Sequence, residues 1–341
     1  MKQRSIIWVL CFGLLITMII ASGVGAFSIP VGDVLILLAQ KVGIMRDVKV
    51  DEIYGEVLYI VRLPRVLLGV LVGAALGISG AAIQGIFRNP LAEPGLIGIS
   101  AGASLFAVLI IAFEAVLFAG LSQLLGYYLL AFGAFAGAGL TSLLVYQLSK
   151  KRGRPRVTTM LLAGIAINAF AGALTGLVTY IADEQQLRTI TFWMLGSLGG
   201  ATWDNVLAVF PFILIPLVIL PFFSKALNAF ALGEAQADLL GMRTDKVKRW
   251  VVILSTMAVG ASVAVSGIIG FVGLLVPHTV RLLGGVAHRY VLIASAVLGA
   301  LILTLADILS RVLVAPVELP IGVITALLGT PVFLYILMTE E

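Results

Sequence analysis

Residues able to do chemistry are sparse, and their spacing excludes more than it admits. The chain contains no G-x-x-x-x-G-K-[ST] loop to cradle nucleotide phosphates, no H-E-x-x-H metal pair and no G-x-S-x-G nucleophile turn. Cys11 is the only cysteine and there are two histidines, His278 and His288, so clustered thiolate sites and intrachain disulfides are ruled out. Carboxylates inside apolar stretches, which a proton relay would need, come down to Glu114 and Asp307. Asp307 stands four residues before Arg311, the spacing of a local ion pair as much as of a relay. Catalysis by this chain is therefore not expected. The polar segment that stands out is Ala231–Met242, ALGEAQADLLGM, set in a chain that is otherwise apolar. On a helical wheel Leu232, Ala235, Leu239 and Met242 share one face, and Glu234 and Asp238 another. Such a helix would either pack as a lid under its own bundle or offer its carboxylates to a basic partner in water.

The elements that must carry these residues are membrane helices. Of 341 residues, 61% are hydrophobic and 11% charged, with a mean hydropathy of +1.14, a composition that could not face water as a soluble domain. A helix crossing a bilayer needs about 20 apolar residues. Candidate spans run over 6–28, 64–86, 95–116, 124–148, 157–182, 204–222, 249–268, 274–285, 290–310 and 320–338. The fold class is therefore all-α integral membrane protein with about ten transmembrane helices in a single domain, 1–341. The eighth candidate is short and carries His278 and Arg281. The stretch 191–202, TFWMLGSLGGAT, is apolar but glycine-rich and reads as a broken or re-entrant segment. The first span follows MKQRS and ends in small residues like a secretory signal; we read it as an uncleaved helix. Glycine contributes 37 residues, and Gly69/Gly73/Gly77, Gly133/Gly137 and Gly172/Gly176 have the small-xxx-small spacing of closely packed membrane helices.

Charge sets the orientation. A net charge of +5 is compatible with nucleic acid, but the densest run, KKRGRPR at 150–156, lies between two apolar stretches and is a loop marker. With the N-terminus inside, 15 of the 22 Lys and Arg residues fall in cytoplasmic loops, and 7 (Lys41, Arg46, Lys49, Arg62, Arg65, Arg188 and Arg311) remain outside. Both termini are then cytoplasmic, and so is the segment 228–245 that contains ALGEAQADLLGM.

The halves echo each other. VGAALGISG at Val72–Gly80 matches VGASVAVSG at Val259–Gly267 with an offset of 187, and the same offset carries Pro90 onto Pro277. In this orientation the two copies run in opposite directions, the mark of an inverted repeat with halves roughly 62–182 and 247–338. Independent enrichment of two helices in Gly, Ala and Val is the alternative.

Four stretches carry a family resemblance: RLPRVLLGVLVGAALGISGAAIQGIFRNPLAEPGLIGISAGAS (62–104), ALGEAQADLLGM, SGIIGFVGLLVPHTVRLLGG (266–285) and ADILSRVLVAPVELPIGVITALLGTPVFLYIL (306–337). Nearly the whole chain resembles the FecCD-type permeases of bacterial type II ABC importers, which carry iron–siderophores, haem and vitamin B12. DEQQLRTITFWMLGSLGGATW (183–203) is most similar to the haem-importing subgroup. The resemblance implies a BtuC-like homodimer in the inner membrane, two cytoplasmic ATPase subunits that bind ATP and Mg, and a periplasmic substrate-binding protein. This chain would bind no cofactor of its own, and haem would be the cargo. Leu232, Gly233, Glu234, Ala235, Ala237, Asp238, Leu240, Gly241 and Met242 match the family's ATPase-coupling helices. Arg62, Arg65 and Arg311 match arginines that meet glutamates of the binding protein. For an apolar macrocycle with two propionates, Arg188, Trp193, Met194 and Ser197 are the candidate path residues. The two histidines are not assigned as iron ligands, because a tight axial ligand would hinder release. Ferric siderophore or cobalamin are alternative cargoes; an ion-coupled carrier or a passive channel are alternative classes.

Overall fold

A computed structural model describes residues 2–339 apart from Arg46, Tyr127 and Arg152, so two cations of the charge pattern, Arg46 and Arg152, lie outside the described residues. The chain opens with α1 (Lys2–Gly23), α2 (Val31–Lys41) and α3 (Glu52–Glu56). A π-helical turn over Val57–Arg62 leads directly into α4 (Leu63–Phe87). Then follow α5 (Ile99–Leu117), α6 (Ala119–Leu125), α7 (Tyr128–Leu148), a hairpin of β1 (Lys150–Lys151) and β2 (Arg154–Pro155), α8 (Val157–Ile181), α9 (Glu184–Leu195) and α10 (Trp203–Ile219). The second part comprises α11 (Ser224–Ala231), α12 (Glu234–Leu239), α13 (Thr244–Ser266), α14 (Val272–Gly284), α15 (His288–Val312) and α16 (Ile321–Thr339).

Seven helical stretches are long and apolar enough to cross a membrane, and an eighth is the pair α5–α6, bent by 105°. Adding the shorter apolar helices α14 and α16 gives the ten-helix membrane fold expected from hydropathy. At 1.5 Å per residue, the 13 residues of α14 reach only ~20 Å, short of a ~30 Å hydrocarbon core. Gly267 and Phe271, both with left-handed φ (68° and 67°), bend the chain into it.

α4 is the axis of the core and is buried from Val72 to Phe87. What lets it sit there is the absence of side chains on one stripe. A Cβ at Gly73 would lie 2.4 Å from the Gly299 carbonyl oxygen, and one at Gly77 would lie 2.1 Å from that of Ser295, so α4 and α15 touch main chain to main chain. On α7, Gly137 meets the Gly102 carbonyl of α5 in the same way, whereas Gly133 receives the tip of the Ile110 side chain. The third pair differs: beyond Gly172 and Gly176 of α8 there is open space, so within one chain these glycines pack nothing. Buried hydroxyls are quieted by their own helices, as when Thr17, Ser262 and Thr304 donate to the carbonyls of Gly13, Ala258 and Ala300. The proposed repeat halves also trade neighbours: Gly73 of α4 meets α15, and Gly260 of α13 meets Ala138 and Phe135 of α7.

One local expectation is corrected. The region around 191–202 is not irregular throughout. Asp183 caps the backbone N–H of Gln186, whose side chain accepts in turn from the Asp183 N–H, and this box starts a helix that runs to Leu195. Only 196–202 is non-helical.

Candidate functional site

Three places gather the polar side chains singled out above. The first is the segment after α10. Gly233 has φ 121°, and a Cβ there would strike the Gln236 side chain, so glycine permits the turn that opens α12. Ala237 is fully buried, while Gly241 (φ 80°) turns the chain toward α13, and the Met242 N–H closes back on the Ala237 carbonyl. Of the two carboxylates, Glu234 is half-buried and Asp238 is exposed. Glu234 pairs with Lys248, a fully buried lysine whose Nζ also donates to the Pro155 carbonyl at 2.7 Å. Asp238 accepts from the Thr244 hydroxyl at 2.6 Å. These contacts fasten α12 to α13 and to the hairpin. The surface the segment offers to water is mixed: Leu232, Leu239 and Leu240 are 65%, 88% and 61% exposed, and Ala235, Gln236 and Asp238 are exposed beside them. Both carboxylates have a partner within this chain, and Asp238 stays exposed to water beside the leucines. Beside α12 lies a groove of about 670 Å3 lined by Phe87, Arg88, Arg156, Phe230, Glu234 and Asp238. Arg88 and Arg156 were missed in the sequence because 68 residues of chain separate them.

The second place is the opposite end of α4. Arg62, Arg65 and Arg311 do converge there, but all three are buried. Arg62 donates to the carbonyls of Val24 (2.9 Å) and Phe27 (3.0 Å), and its guanidinium lies against Gly25, where any Cβ would collide. Arg311 donates to the carbonyls of Ala21 (3.0 Å) and Val24 (2.9 Å), satisfying the open C-terminal end of α1, and pairs with Asp307 at 2.9 Å. Arg65 joins Asp307 (3.0 Å) to Glu318 (2.8 Å). The arginines thus tie α1, α4, α15 and the loop before α16 together instead of projecting outward. Glu318, in that loop, is the half-exposed member. Burial alone would raise its carboxyl, but the hydrogen bond and charge of Arg65, with Arg311 and Arg62, hold it below the ordinary carboxylate value. The Asp307–Arg311 spacing is an ion pair in the structure, and Glu114 is exposed near a helix end, where it accepts from Ser122.

The third place is the end of α9. The Ser197 N–H donates to the Ser266 carbonyl (2.8 Å), and the Ile321 N–H donates to Gly196 (3.0 Å). A Cβ at Gly196 would meet the Ile268 carbonyl, one at Gly267 the Trp193 carbonyl, and one at Gly322 the Leu195 carbonyl, so three segments join backbone to backbone. The structure divides the four candidate path residues. Trp193 and Ser197 line a small pocket of about 180 Å3 with Leu130 and Ala264. Met194 faces the other way, into a groove of about 720 Å3 between α5, α8 and α9 that is lined by Ala101, Gly172, Thr175, Gly176 and Tyr180. Arg188 is exposed and lines neither. A single surface made of all four is therefore not present within one chain.

Among the described residues there is no cluster of three or more His, Cys, Asp or Glu side chains able to hold a metal ion. About ten membrane helices with a buttressed foot between α10 and α13 frame the site, and the chain's family follows from similarity to known proteins. Residues 13–339 match the FecCD transport family, and the chain belongs to that family of ABC-importer permeases. It is 44% identical to the hemin transport system permease protein HmuU of Yersinia pestis, over 82% of this chain and 83% of that one. It is 37% identical to the cobalamin import system permease protein BtuC of Halobacterium salinarum, over 82% and 73% of the two chains. It is 35% identical to the Fe(3+)-citrate import system permease protein YfmD of Bacillus subtilis, over 98% and 96%. The solved structure of a metal-chelate type ABC transporter in an inward-facing conformation superposes with a TM-score of 0.83 at 34% identity, covering 97% of both chains.

Proposed function

We propose that this chain is the permease through which an ATP-driven importer moves haem into the cytoplasm, working as a homodimer. Two ATPase subunits, which carry the ATP and Mg, sit beneath the α11–α12 foot, and a periplasmic binding protein delivers cargo to the opposite end. The observation that carries the choice of haem is the 44% identity to a hemin permease across four-fifths of both chains. The broad groove between α5, α8 and α9, whose named lining is largely small and apolar, agrees with a flat apolar macrocycle better than with a strongly hydrated cargo. The homodimer is supported by the same face: Gly172 and Gly176 border that groove next to exposed Ile165, Phe170 and Leu177, so a second copy would close it from outside and leave cargo between the two copies. Docking of the ATPase falls to Leu232, Leu239 and Leu240, with Gly233, Glu234, Ala235, Ala237, Asp238, Gly241 and Met242 shaping the foot. For the binding protein, Glu318 and the loop it occupies are the accessible part, and Arg62, Arg65 and Arg311 act by holding that loop in place. Ion coupling is disfavoured because Asp307 is already paired with two arginines.

The test is uptake into proteoliposomes containing the permease, the matching ATPase and its binding protein. Haem accumulation that depends on ATP, with ferric citrate and cobalamin left outside, is the expected result. Accumulation of cobalamin or ferric citrate instead would establish the second reading, which the 37% and 35% identities support. Uphill transport on an ion gradient without ATPase would overturn the class.

A further inference from the structure

Between α7 and α13, at the end of the bundle that carries the hairpin, runs a groove of about 590 Å3. Its mouth is cationic. Lys150, Lys246 and Arg249 line it and are all exposed; Lys150 bonds Gln147 at 2.7 Å and sits 5.0 Å over the Tyr146 ring. Asp245, the carboxylate that also lines the mouth, turns Oδ2 to Arg154 at 3.6 Å and keeps Oδ1 buried without a hydrogen-bond partner, leaving the exposed part of the mouth to the three cations. Deeper in, the lining turns apolar with Phe135, Leu143, Val252, Ile253 and Met257, and the hydroxyls of Thr256 and Ser142 satisfy each other at 3.0 Å. Gly139 leaves the floor open, with nothing within 4 Å of where its Cβ would be.

Depth decides what fits. Phe135 precedes Lys150 by 15 residues, which along a helix is about 22 Å, so the slot runs from the interface through one leaflet. A cationic mouth at headgroup level over an apolar slot one leaflet deep is complementary to a molecule with an anionic head and an alkyl tail. A soluble anion would have no use for the slot, and an acidic peptide would leave its depth unfilled.

We propose that this groove binds one anionic phospholipid, with its phosphate held by Lys150, Lys246 and Arg249 and one acyl chain lying over Gly139. The inference requires that the chain be embedded in a bilayer, which its family establishes, and is independent of what cargo it carries.

The experiment uses the full-length permease reconstituted in vesicles of equimolar phosphatidylglycerol and phosphatidylcholine, extracted gently, with the retained lipid counted by native mass spectrometry. Wild type is expected to retain phosphatidylglycerol in preference to phosphatidylcholine. Each cation should be worth about fivefold in retention, so K150Q/K246Q/R249Q should abolish the preference. Gly139→Trp should reduce it with the charges intact, and Arg289→Gln, an exposed cation away from the groove, should leave it unchanged. Equal retention of the two lipids overturns the proposal, as does an unaffected triple variant. So does a Gly139→Trp variant that retains as much as wild type, since charge alone would then account for the effect. Displacement of the lipid by millimolar glycerol phosphate would also overturn it, by showing a phosphate site that makes no use of the tail. Should the triple variant fail to fold, Arg249→Gln and Gly139→Trp, tested singly, decide the matter.

Discussion

Lys248 has no exposed surface, and its ammonium is shared between the Glu234 carboxylate of α12 and the Pro155 carbonyl of the hairpin. Removing either acceptor would leave this buried group without one of its two partners. The acidic residue of the foot is thus a fastener first.

Glu234→Lys is therefore expected to loosen the fold as well as uncouple transport, by roughly 1–3 kcal/mol given a half-exposed partner. Leu239→Asp should separate the two effects. It lies on the surface offered to water, so thermal melting should match wild type while ATP-dependent uptake falls at least tenfold. Wild-type uptake in Leu239→Asp would mean that the leucines make no docking contact.

Asp307→Asn leaves the guanidinium groups of Arg65 and Arg311 buried beside a neutral side chain. Breaking such a buried pair typically costs about 3–5 kcal/mol, which should appear as a marked loss of melting temperature in detergent. Arg62→Glu should behave likewise, because it removes the acceptor-satisfying group at the end of α1. Its effect on capture of a binding protein should be the same at low and high salt. A strong salt dependence would restore these arginines to a long-range steering role.

Two glycines of the same spacing class should respond in opposite ways. Gly77→Leu drives a side chain into the Ser295 carbonyl and should prevent folding. Gly172→Leu meets nothing within one chain and should fold, and on the proposed homodimer light scattering should report a dimer for wild type and a monomer for the variant. A dimer with Gly172→Leu would move the two-fold axis elsewhere.

Glu318 gives the cluster a pH dependence. Its folded pKa lies below the ordinary 4.5, so its stabilisation is complete above that value and is lost as pH falls through the lower folded pKa. Melting temperature against pH should therefore drop more steeply below 4.5 for wild type than for Glu318→Gln. Identical profiles would show that the carboxylate contributes nothing to the cluster.

Much of this architecture was legible because hydropathy is a local signal. About ten apolar runs, the kink-prone short eighth helix and the family motifs all sit in contiguous sequence. The capping box Asp183–Gln186 was equally local and could have placed α9. The arginines were not legible. Arg65 finds Asp307 across 242 residues, and near the end of a span an arginine reads the same whether it reaches outward or caps another helix. Glycine spacing likewise marks a stripe on α4 and α8 alike; only the fold shows that Gly77 is filled by α15 and that Gly172 is bare. The foot was legible as a segment, but a helical wheel cannot know that Lys248 lies beneath Glu234 while Asp238 stays in water.

Where Gly196, Gly267 and Gly322 meet, peptide groups abut with no room for an R group. Such a weld cannot discriminate one molecule from another, because it presents the same amides whatever the amino-acid sequence around it. On the proposed reading, any choice among cargoes falls instead to the side chains flanking the weld, Met194 on one side and Trp193 with Ser197 on the other.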